Sequence, residues 1–326
     1  MNKKLKTILK ITLPLLLGIA LVWYSLSKIT LYELLQYFKD ADYKWIGLGM
    51  FLGVLSHLSR AYRWKFMLEP MGYTLRLQNS VMAVFSAYLV NYTIPRAGEI
   101  TRASIVTNYE GIPFEKGFGT IVSERIADML VMLIIILVTL FLEFEFIIKF
   151  FSERFDAIKI GLSLAALGLA FLIFFVYIKR SSSVFANKLK GFVKGLIEGV
   201  LSILRMKQKW PFIFHTFFIW IMYILMFYVT TFSLSETSNL PLAAILIGFI
   251  SASFSIAATN GGIGSYPVAV FAAFSIFGIT KEPSIAFGWI MWSSQTIIII
   301  IFGGLSLLYL PIFNRLNPKT VTKVSQ

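Results

Sequence analysis

Six long apolar stretches restrict the fold of this chain more than any other feature of its sequence. They occupy residues 11–27, 44–62, 124–143, 159–178, 210–232 and 284–310. An α-helix rises about 1.5 Å per residue, so a stretch of about 20 apolar residues crosses the hydrocarbon core of a bilayer. Transmembrane β-barrels show short alternating segments instead. The sequence therefore predicts an all-α polytopic membrane protein with about six full transmembrane helices.

The composition excludes a soluble domain. Hydrophobic residues make up 57% of the 326-residue chain and charged residues only 14%, whereas soluble domains carry roughly 25% charged residues. The net charge of +14 would favour nucleic-acid binding in a soluble protein. In a membrane protein it indicates cytoplasmic loops that contact anionic headgroups. We expect membrane lipids, and no nucleic acid, as partners.

The chain has no cysteine, and its two histidines, His57 and His215, lie far apart in sequence. This pattern predicts no disulfide, no thiolate chemistry and no metal site or catalytic cluster built on His and Cys. The sequence has no ATP-binding motif. We therefore expect no cofactor, and transport would be coupled to an ion gradient or to no energy source.

The distribution of basic residues predicts the orientation in the membrane. Cytoplasmic loops are rich in Lys and Arg, and the N-terminus, residues 60–77, residues 179–209 and the C-terminus all have such an excess. Both termini are therefore predicted to be cytoplasmic in a multi-pass protein of the cell (inner) membrane. The basic N-terminus followed by residues 11–27 resembles a signal peptide, but without a small-residue cleavage site it predicts an uncleaved first span.

Two polar, helix-breaking stretches interrupt the apolar chain, at Asn91–Arg102 and at Thr259–Pro267. Irregular backbone inside a bilayer must be buried in protein or line a wet cavity, and a matched pair of breaks is typical of a transport site. Residues 78–118 and 241–279 could form re-entrant hairpins that turn at Pro95 and at Gly261. Every loop then lies on the side of the membrane, cytoplasmic or outer, that its charge predicts. Full crossing by each arm, giving ten crossings, satisfies the charges equally.

The two halves of the chain follow the same plan, which predicts an inverted repeat within a single membrane domain, 1–326. Unit one, 44–143, and unit two, 210–310, each contain a span, a broken hairpin and a span. Pro95 lies 51 residues into the first unit and Gly261 lies 51 into the second. A chance coincidence of two hairpins is the alternative. Residues 183–206 alternate apolar and Lys residues at helical spacing, which predicts an interfacial amphipathic linker helix.

The first break contains residues that are suited to an anionic headgroup. Pro95 ends a helix, Gly98 permits close approach of a ligand or helix, and a free helix N-terminus next to Arg is an anion site. Snorkelling of the arginines to the interface is the alternative. With the two arginines that end the second span, the predicted headgroup-binding residues in this half are Arg60, Arg63, Asn91, Arg96, Gly98 and Arg102.

A second group of charges precedes the third span. Only 14 uninterrupted apolar residues, Met129–Leu142, follow it, and they cover about 21 Å of a core that is about 30 Å thick. Ionisable side chains therefore lie within membrane depth, where they face the bundle interior or a cavity. They can hold an arginine of the break, carry a coupling proton, or form a purely structural network. The predicted coupling or ion-pair residues are Glu99, Glu124, Arg125 and Asp128.

The second break is uncharged, and its glycines can expose backbone amides to a phosphate. The predicted headgroup-binding residues here are Asn260, Gly261, Gly262 and Gly264. Close helix packing is the alternative role for such glycines. Asp128 corresponds to Ser294 at an offset of 166 residues, so the repeat would have a charged half and a neutral half.

The chain resembles the flippase-like membrane domain of the lysylphosphatidylglycerol synthase family, also called the UPF0104 family. The resemblance covers nearly the whole chain, and the matching motifs are Arg60–Trp64, Pro95-Arg96-Ala97-Gly98-Glu99, Glu124-Arg125 with Asp128, and Gly261–Gly264. It implies transfer of an anionic or aminoacylated phospholipid, or of a polyprenyl-linked lipid, between leaflets. The synthases of the family add a soluble aminoacyl-transfer domain, which this sequence does not contain, so synthase activity is not implied. An acidic residue often follows the glycine motif in the family, where this chain has Tyr266 and Pro267.

Three functional hypotheses follow. A lipid flippase or lipid-binding transporter, which is not an enzyme, accounts best for the paired breaks and the intramembrane charges. A membrane enzyme that modifies lipid headgroups would use Glu99, Glu124 and Asp128 as acid and base. A non-catalytic scaffold would have an envelope-synthesis enzyme as its partner.

Overall fold

The computed structural model describes residues 3–94, 97–154 and 157–318, and the regular elements in these ranges are all helical. Short 3₁₀ turns occur at Glu69–Met71, Ser235–Thr237 and Asn260–Gly262. The α-helices are α1 Lys3–Leu26, α2 Leu31–Asp40, α3 Tyr43–Arg63, α4 Lys65–Leu68, α5 Leu77–Thr93, α6 Ala97–Glu110, α7 Phe114–Leu142, α8 Phe144–Arg154, α9 Ala157–Arg180, α10 Val184–Arg205, α11 Lys209–Thr231, α12 Leu242–Ala258, α13 Ser265–Ser275 and α14 Lys281–Leu316.

The helices form two compact units. The larger unit consists of Met1–Val122 and Trp210–Gln326, and the smaller unit is Ser123–Lys209. The smaller unit contains most of α7 together with α8, α9 and α10. Within it, the Ser183 hydroxyl accepts a hydrogen bond from the Ala186 amide and so caps the start of α10. The helix α10 spans most of the segment 183–206; its position at the membrane interface stays a prediction.

The apolar helices make this a multi-pass helical membrane protein. Among the described residues, three helices are long and apolar enough to cross a bilayer: α7, α11 and α14. Counting two bent helix pairs as one span each raises this number to five. Helix α3 is less apolar because it contains His57, Arg60 and Arg63. Each of the six predicted spans coincides with a helix, but six full crossings remain a prediction.

Helix α14 is the longest helix of the larger unit and packs against both broken segments. Its 36 residues extend over about 54 Å. A Cβ atom on Gly288 would lie 2.5 Å from Pro267 of α13, and one on Gly303 would lie 2.7 Å from Leu89 of α5. The glycines therefore let the first half of α14 approach α13 and the second half approach α5.

Helices α5 and α14 are antiparallel. Asn79 near the start of α5 hydrogen-bonds Asn314 near the end of α14, while Tyr92 near the end of α5 contacts Thr296. Helix α6 returns alongside α5, so that Glu110 at its end meets Asn79. The α5–α6 pair is therefore a helical hairpin whose tip lies beside the middle of α14.

A large apolar core fixes the base of this hairpin. Trp64 is fully buried, and it packs with residues of α4, α5, α6, α7 and α14. The buried members of this core are Trp64, Leu68, Met82, Ala83, Ala103, Ile105, Val106, Ile112, Ile121 and Leu310.

The helices of the two predicted repeat units begin at a nearly constant offset. Tyr43 of α3 and Lys209 of α11 are 166 residues apart, and Leu77 of α5 and Leu242 of α12 are 165 apart. The starts of α6 and α13 differ by 168 residues, and those of α7 and α14 by 167. The helices thus have the same order and similar bounds in both halves of the chain.

Candidate functional site

The first break is closed by a side chain from its own hairpin. Helix α5 ends at Thr93, and α6 begins at Ala97. The Gly98 amide donates a 2.8 Å hydrogen bond to Asn91 Oδ1, which satisfies one of the free N–H groups at the start of α6. A Cβ atom on Gly98 would overlap the Ala87 carbonyl oxygen. Asn91 and Gly98 therefore hold the two arms together at the tip.

Two predicted residues of this break, Pro95 and Arg96, lie outside the described residues. Glu99 is partly buried in the first turn of α6. A carboxylate in the first turn is favoured by the helix dipole. Glu99 thus lies next to the tip of the hairpin, and its role in coupling stays a prediction.

Arg102 is held against the face of a buried tryptophan. Its guanidinium carbon lies 3.8 Å from the centroid of the Trp64 ring, and the side chain is only 4% exposed. The Trp64 indole N–H donates a 2.7 Å hydrogen bond to Thr120 Oγ1. A cation at this distance from an indole face is stabilised by cation–π attraction. The orientation of the arginine is therefore set by three helices, α6, the end of α3 and the start of α7.

Arg60 and Arg63 are also buried, with 4% and 0% of their surface exposed. Arg63 Nη1 donates a 2.8 Å hydrogen bond to Thr216 Oγ1, and its guanidinium lies 5.1 Å from the Phe212 ring. Both partners are on α11. Snorkelling requires the charged group to reach water, so the burial of these side chains argues against that alternative. We name Arg60, Arg63 and Arg102 the buried arginines.

The predicted ion-pair residues Glu124, Arg125 and Asp128 lie on α7 in the smaller unit. Glu124 and Asp128 are 1% and 6% exposed, whereas Arg125 is exposed. One helical turn separates the two carboxylates, so they share the buried face of α7. Their part in a coupling or ion-pair network stays a prediction.

The second break is a tight glycine turn that packs on α1. Gly261, Gly262 and Gly264 have φ values of 62°, 80° and 70°, which favour glycine. The amides of Gly262 and Ile263 donate within the turn, to the carbonyls of Thr259 and Asn260, each at 3.4 Å. These amides are therefore already used inside the protein.

Gly264 is required for close packing rather than for an exposed amide. A Cβ atom there would lie 2.7 Å from the Gly18 carbonyl oxygen of α1. A Cβ atom on Gly18 would in turn lie 2.8 Å from the side chain of Ile263. The geometry at Gly264 thus supports the packing alternative, and headgroup binding by the four residues of the second break stays a prediction.

The two breaks contact each other. The Tyr92 ring covers Gly261, where a Cβ atom would lie 2.7 Å from a ring carbon. The Gly261 carbonyl accepts a 2.8 Å hydrogen bond from Trp292 Nε1, and the Tyr92 hydroxyl lies 3.2 Å from Thr296 Oγ1. We name Tyr92, Gly261, Trp292 and Thr296 the break junction. Sequence reasoning located both breaks but missed the three side chains that join them.

Polar residues line the buried face of α3 between the buried arginines and α14. His57 lies one turn before Arg60, and Gly53 one turn before His57. A Cβ atom on Gly53 would lie 2.5 Å from Gln295 Oε1, and Gln295 adjoins Thr296 of the break junction. Within the described ranges, His57 Nδ1 and Gln295 Nε2 are buried and have no hydrogen-bond partner. Buried polar atoms in native structures nearly always have a partner, so this pair is exceptional.

A buried polar network at the base of the first hairpin was not predicted. Arg76 Nε donates to Glu110 Oε1 at 2.8 Å, and its Nη2 donates to Asn314 Oδ1 at 2.6 Å. Asn79 and Asn314 exchange two hydrogen bonds of 2.8 Å. The network ties the start of α5 and the end of α6 to the end of α14. The low hydropathy of these four side chains is the only signal in the sequence that could have indicated this network.

Comparison with known proteins gives a family and two relatives. The family model described as "Lysylphosphatidylglycerol synthase TM region" matches residues 11–304. The UPF0104 membrane protein MJ1595 of Methanocaldococcus jannaschii is 26% identical over 129 residues, which are 39% of this chain and 38% of that protein. Glycosyltransferase AglD of Haloferax volcanii is 30% identical over 118 residues, 35% of this chain and 19% of that protein. The matches thus span less than half of each relative, and no solved structure matches the chain significantly.

Proposed function

Since the chain belongs to the lysylphosphatidylglycerol synthase TM-region family, we propose that it transfers a lipid between the leaflets of the cell (inner) membrane. The substrate class is an anionic or aminoacylated phospholipid, or a polyprenyl-phosphate-type lipid. Both termini are cytoplasmic in this proposal. The protein is a transporter or lipid-binding protein rather than an enzyme.

The observation that carries this proposal is the contact between the two breaks at Tyr92 and Gly261. We propose that the repeat units 44–143 and 210–310 are inverted and that α5–α6 and α12–α13 are re-entrant hairpins. The nearly constant offset of the helix starts supports the repeat part of this proposal. Transporters built from inverted repeats bind their substrates where discontinuous helices meet near the bilayer midplane.

The buried arginines give this site its charge selectivity. Guanidinium groups form strong charge-assisted hydrogen bonds with phosphate, and buried cations in a membrane protein are typical of a substrate path. The buried polar face of α3 extends from Arg63 to Gly53, which lies beside Gln295 of α14. This distance is about 15 Å along the helix. We propose that the headgroup moves along this face and that Arg96 contributes to its binding, while the residues of the second break support the junction.

Glu99 is proposed to balance the arginine charges when no lipid is bound, and Glu124 and Asp128 are proposed to belong to a coupling or ion-pair network. The partly buried carboxylate on α6 can hold a guanidinium group in place, and buried carboxylates such as those on α7 can take up a proton. Arg125, which is exposed, is assigned to the same network only by its position on α7.

The test is transfer of a fluorescent anionic phospholipid in vesicles that contain the purified protein. Dithionite destroys fluorophores in the outer leaflet, so protein-dependent loss of the protected half measures transfer. We expect Arg102→Ala and Arg60→Ala to slow transfer at least about tenfold, the effect of raising the barrier by roughly 1.4 kcal/mol, and Glu99→Ala to slow it because the arginine charge is left unbalanced when no lipid is bound. Lys116→Ala, at an exposed cation, is the control.

No protein-dependent transfer by the wild type would refute the transport proposal, and equal transfer rates for wild type and the three variants, all shown to be folded by gel filtration, would refute the assignment of these residues to the site. Chemical turnover of the labelled lipid in the same vesicles would instead support the enzyme alternative, which is worth testing because the Haloferax relative is named a glycosyltransferase. Transfer or lipid modification that requires a co-purifying protein would support the scaffold alternative.

A further inference from the structure

An open groove of about 330 Å³ lies on the larger unit, between α3, α5 and α11. None of its lining residues belongs to the break junction or to the buried arginines. Its walls include Leu55, Leu58 and Tyr62 of α3, Leu77 and Val81 of α5, and Phe218 of α11.

The shape and chemistry of the groove match a hydrocarbon chain. Leu55, Leu58 and Tyr62 form one stripe of α3, at spacings of three and four residues, which is about 10 Å long. The two polar side chains in the wall bond to each other, because Ser59 Oγ lies 2.8 Å from His215 Nδ1. The Ser59 hydroxyl and His215 Nδ1 thus satisfy each other, and the six other lining side chains are apolar or aromatic, so the groove presents a mainly apolar surface to its occupant.

A positive charge lies next to Tyr62, at the end of this stripe. Lys65 Nζ donates a 2.7 Å hydrogen bond to the Tyr62 hydroxyl. The same ammonium lies 3.9 Å from the centroid of the Tyr62 ring and 5.1 Å from that of Phe66. Cation–π contact and the hydrogen bond hold the ammonium beside the groove. Lysine binds phosphate as a point charge.

We infer that the groove holds an acyl chain of an anionic phospholipid whose phosphate is bound by Lys65. The apolar wall of the groove favours an acyl chain. The Lys65 ammonium at the end of the groove favours a lipid with a net negative headgroup over a zwitterionic one. This lipid is a resident of the protein surface, separate from the lipid that is transferred. The inference needs the membrane location of the protein but not its transport activity.

Photocrosslinking of the full-length protein in vesicles tests the inference. The probe is phosphatidylglycerol with a photoreactive group in one acyl chain, diluted into phosphatidylcholine, and the labelled residues are mapped by mass spectrometry. We expect labels on α3 and α11 at the groove. Lys65→Ala should lower this labelling about threefold, the effect of one partly exposed charge pair, whereas Lys116→Ala should leave it unchanged.

A second pair of variants tests the cavity itself. Leu58→Trp fills the groove and should abolish labelling there. Leu48→Trp, at a residue of the same helix with nearly the same exposure (40% against 39%), should not. Equal labelling by photoreactive phosphatidylcholine together with no effect of Lys65→Ala would overturn the inference, as would undiminished labelling of Leu58→Trp. Transfer is measured separately, so a failure here does not bear on the transport proposal.

Discussion

The two broken hairpins have the same plan but are stabilised by different means. In the first, side chains make the connections: Asn91 closes the tip, and Glu110 with Arg76 fixes the base. In the second, glycine packing and short hydroxyl contacts make them: Gly264 lies against the α1 backbone, while Ser265 Oγ donates to the Ser255 carbonyl and lies 2.7 Å from Thr259 Oγ1. The first hairpin also carries Arg102, while the second has no charged residue between Leu242 and Ser275.

This difference suggests that the first hairpin binds a ligand and that the second supports the fold. Polar side chains can exchange a partner within the protein for a ligand, whereas a backbone packed against another backbone leaves no room for one. The first hairpin is therefore suited to headgroup recognition, and the second to a rigid platform for Tyr92. Variants of the second hairpin should affect folding, and those of the first should affect both stability and transfer.

The largest effect is expected for Gly264→Val. The substitution places a side chain against the α1 backbone and forces a β-branched residue to a positive φ, so destabilisation should exceed about 4 kcal/mol. Gly278→Val is the matched control, because Gly278 has a φ of 77° and a Cβ atom there would meet no described atom within 4 Å. The difference in apparent melting temperature in detergent isolates the clash. Equal decreases of the melting temperature in both variants would show that the positive φ alone, and not the clash with α1, causes the destabilisation.

A smaller loss is expected for Glu110→Ala at the base of the first hairpin. The Glu110 side chain is fully buried and binds Arg76 and Asn79. Removing one member of a buried network leaves the others without their partner, which should cost about 2–3 kcal/mol here because Arg76 is partly exposed.

The control for Glu110→Ala is Glu282→Ala. Glu282 pairs with Lys281 at 3.1 Å, but its side chain is 37% exposed, so the loss should stay below about 1 kcal/mol. Chemical unfolding of both variants in mixed micelles measures the difference. A Glu110 variant as stable as the Glu282 variant would mean that apolar packing alone fixes the hairpin base.

The local features of this fold were predictable, and the long-range ones were not. Hydropathy located the six helices, and proline and glycines located the two breaks, because both signals depend on residues close together in sequence. The family resemblance, which rested on the same local motifs, is confirmed by the match over residues 11–304. The contact of Asn79 with Asn314 joins residues 235 apart, and nothing in a single sequence pairs such distant amides.

The same reason explains which roles were left open. A buried arginine and a snorkelling arginine look alike in sequence. For Arg63 the two are distinguished by its contacts with Phe212 and Thr216, which only the structure shows. Likewise, a glycine that exposes its amide to a ligand and a glycine that allows close helix packing look the same in sequence. They differ only in whether another helix packs against them. Gly264 faces α1, which is some 240 residues away in sequence.

The smallest change in stability is expected for Asn91→Ala, which removes the hydrogen bond to the Gly98 amide. Loss of such a helix-start acceptor should cost about 1 kcal/mol. Thr93→Ala is the control, because Thr93 is exposed and bonds only within its own helix in the described structure. If the first hairpin serves recognition, Asn91→Ala should slow lipid transfer severalfold although most of the protein stays folded. A variant that loses stability but transfers lipid at the wild-type rate would show that the tip of the hairpin only supports the fold, as the second hairpin does.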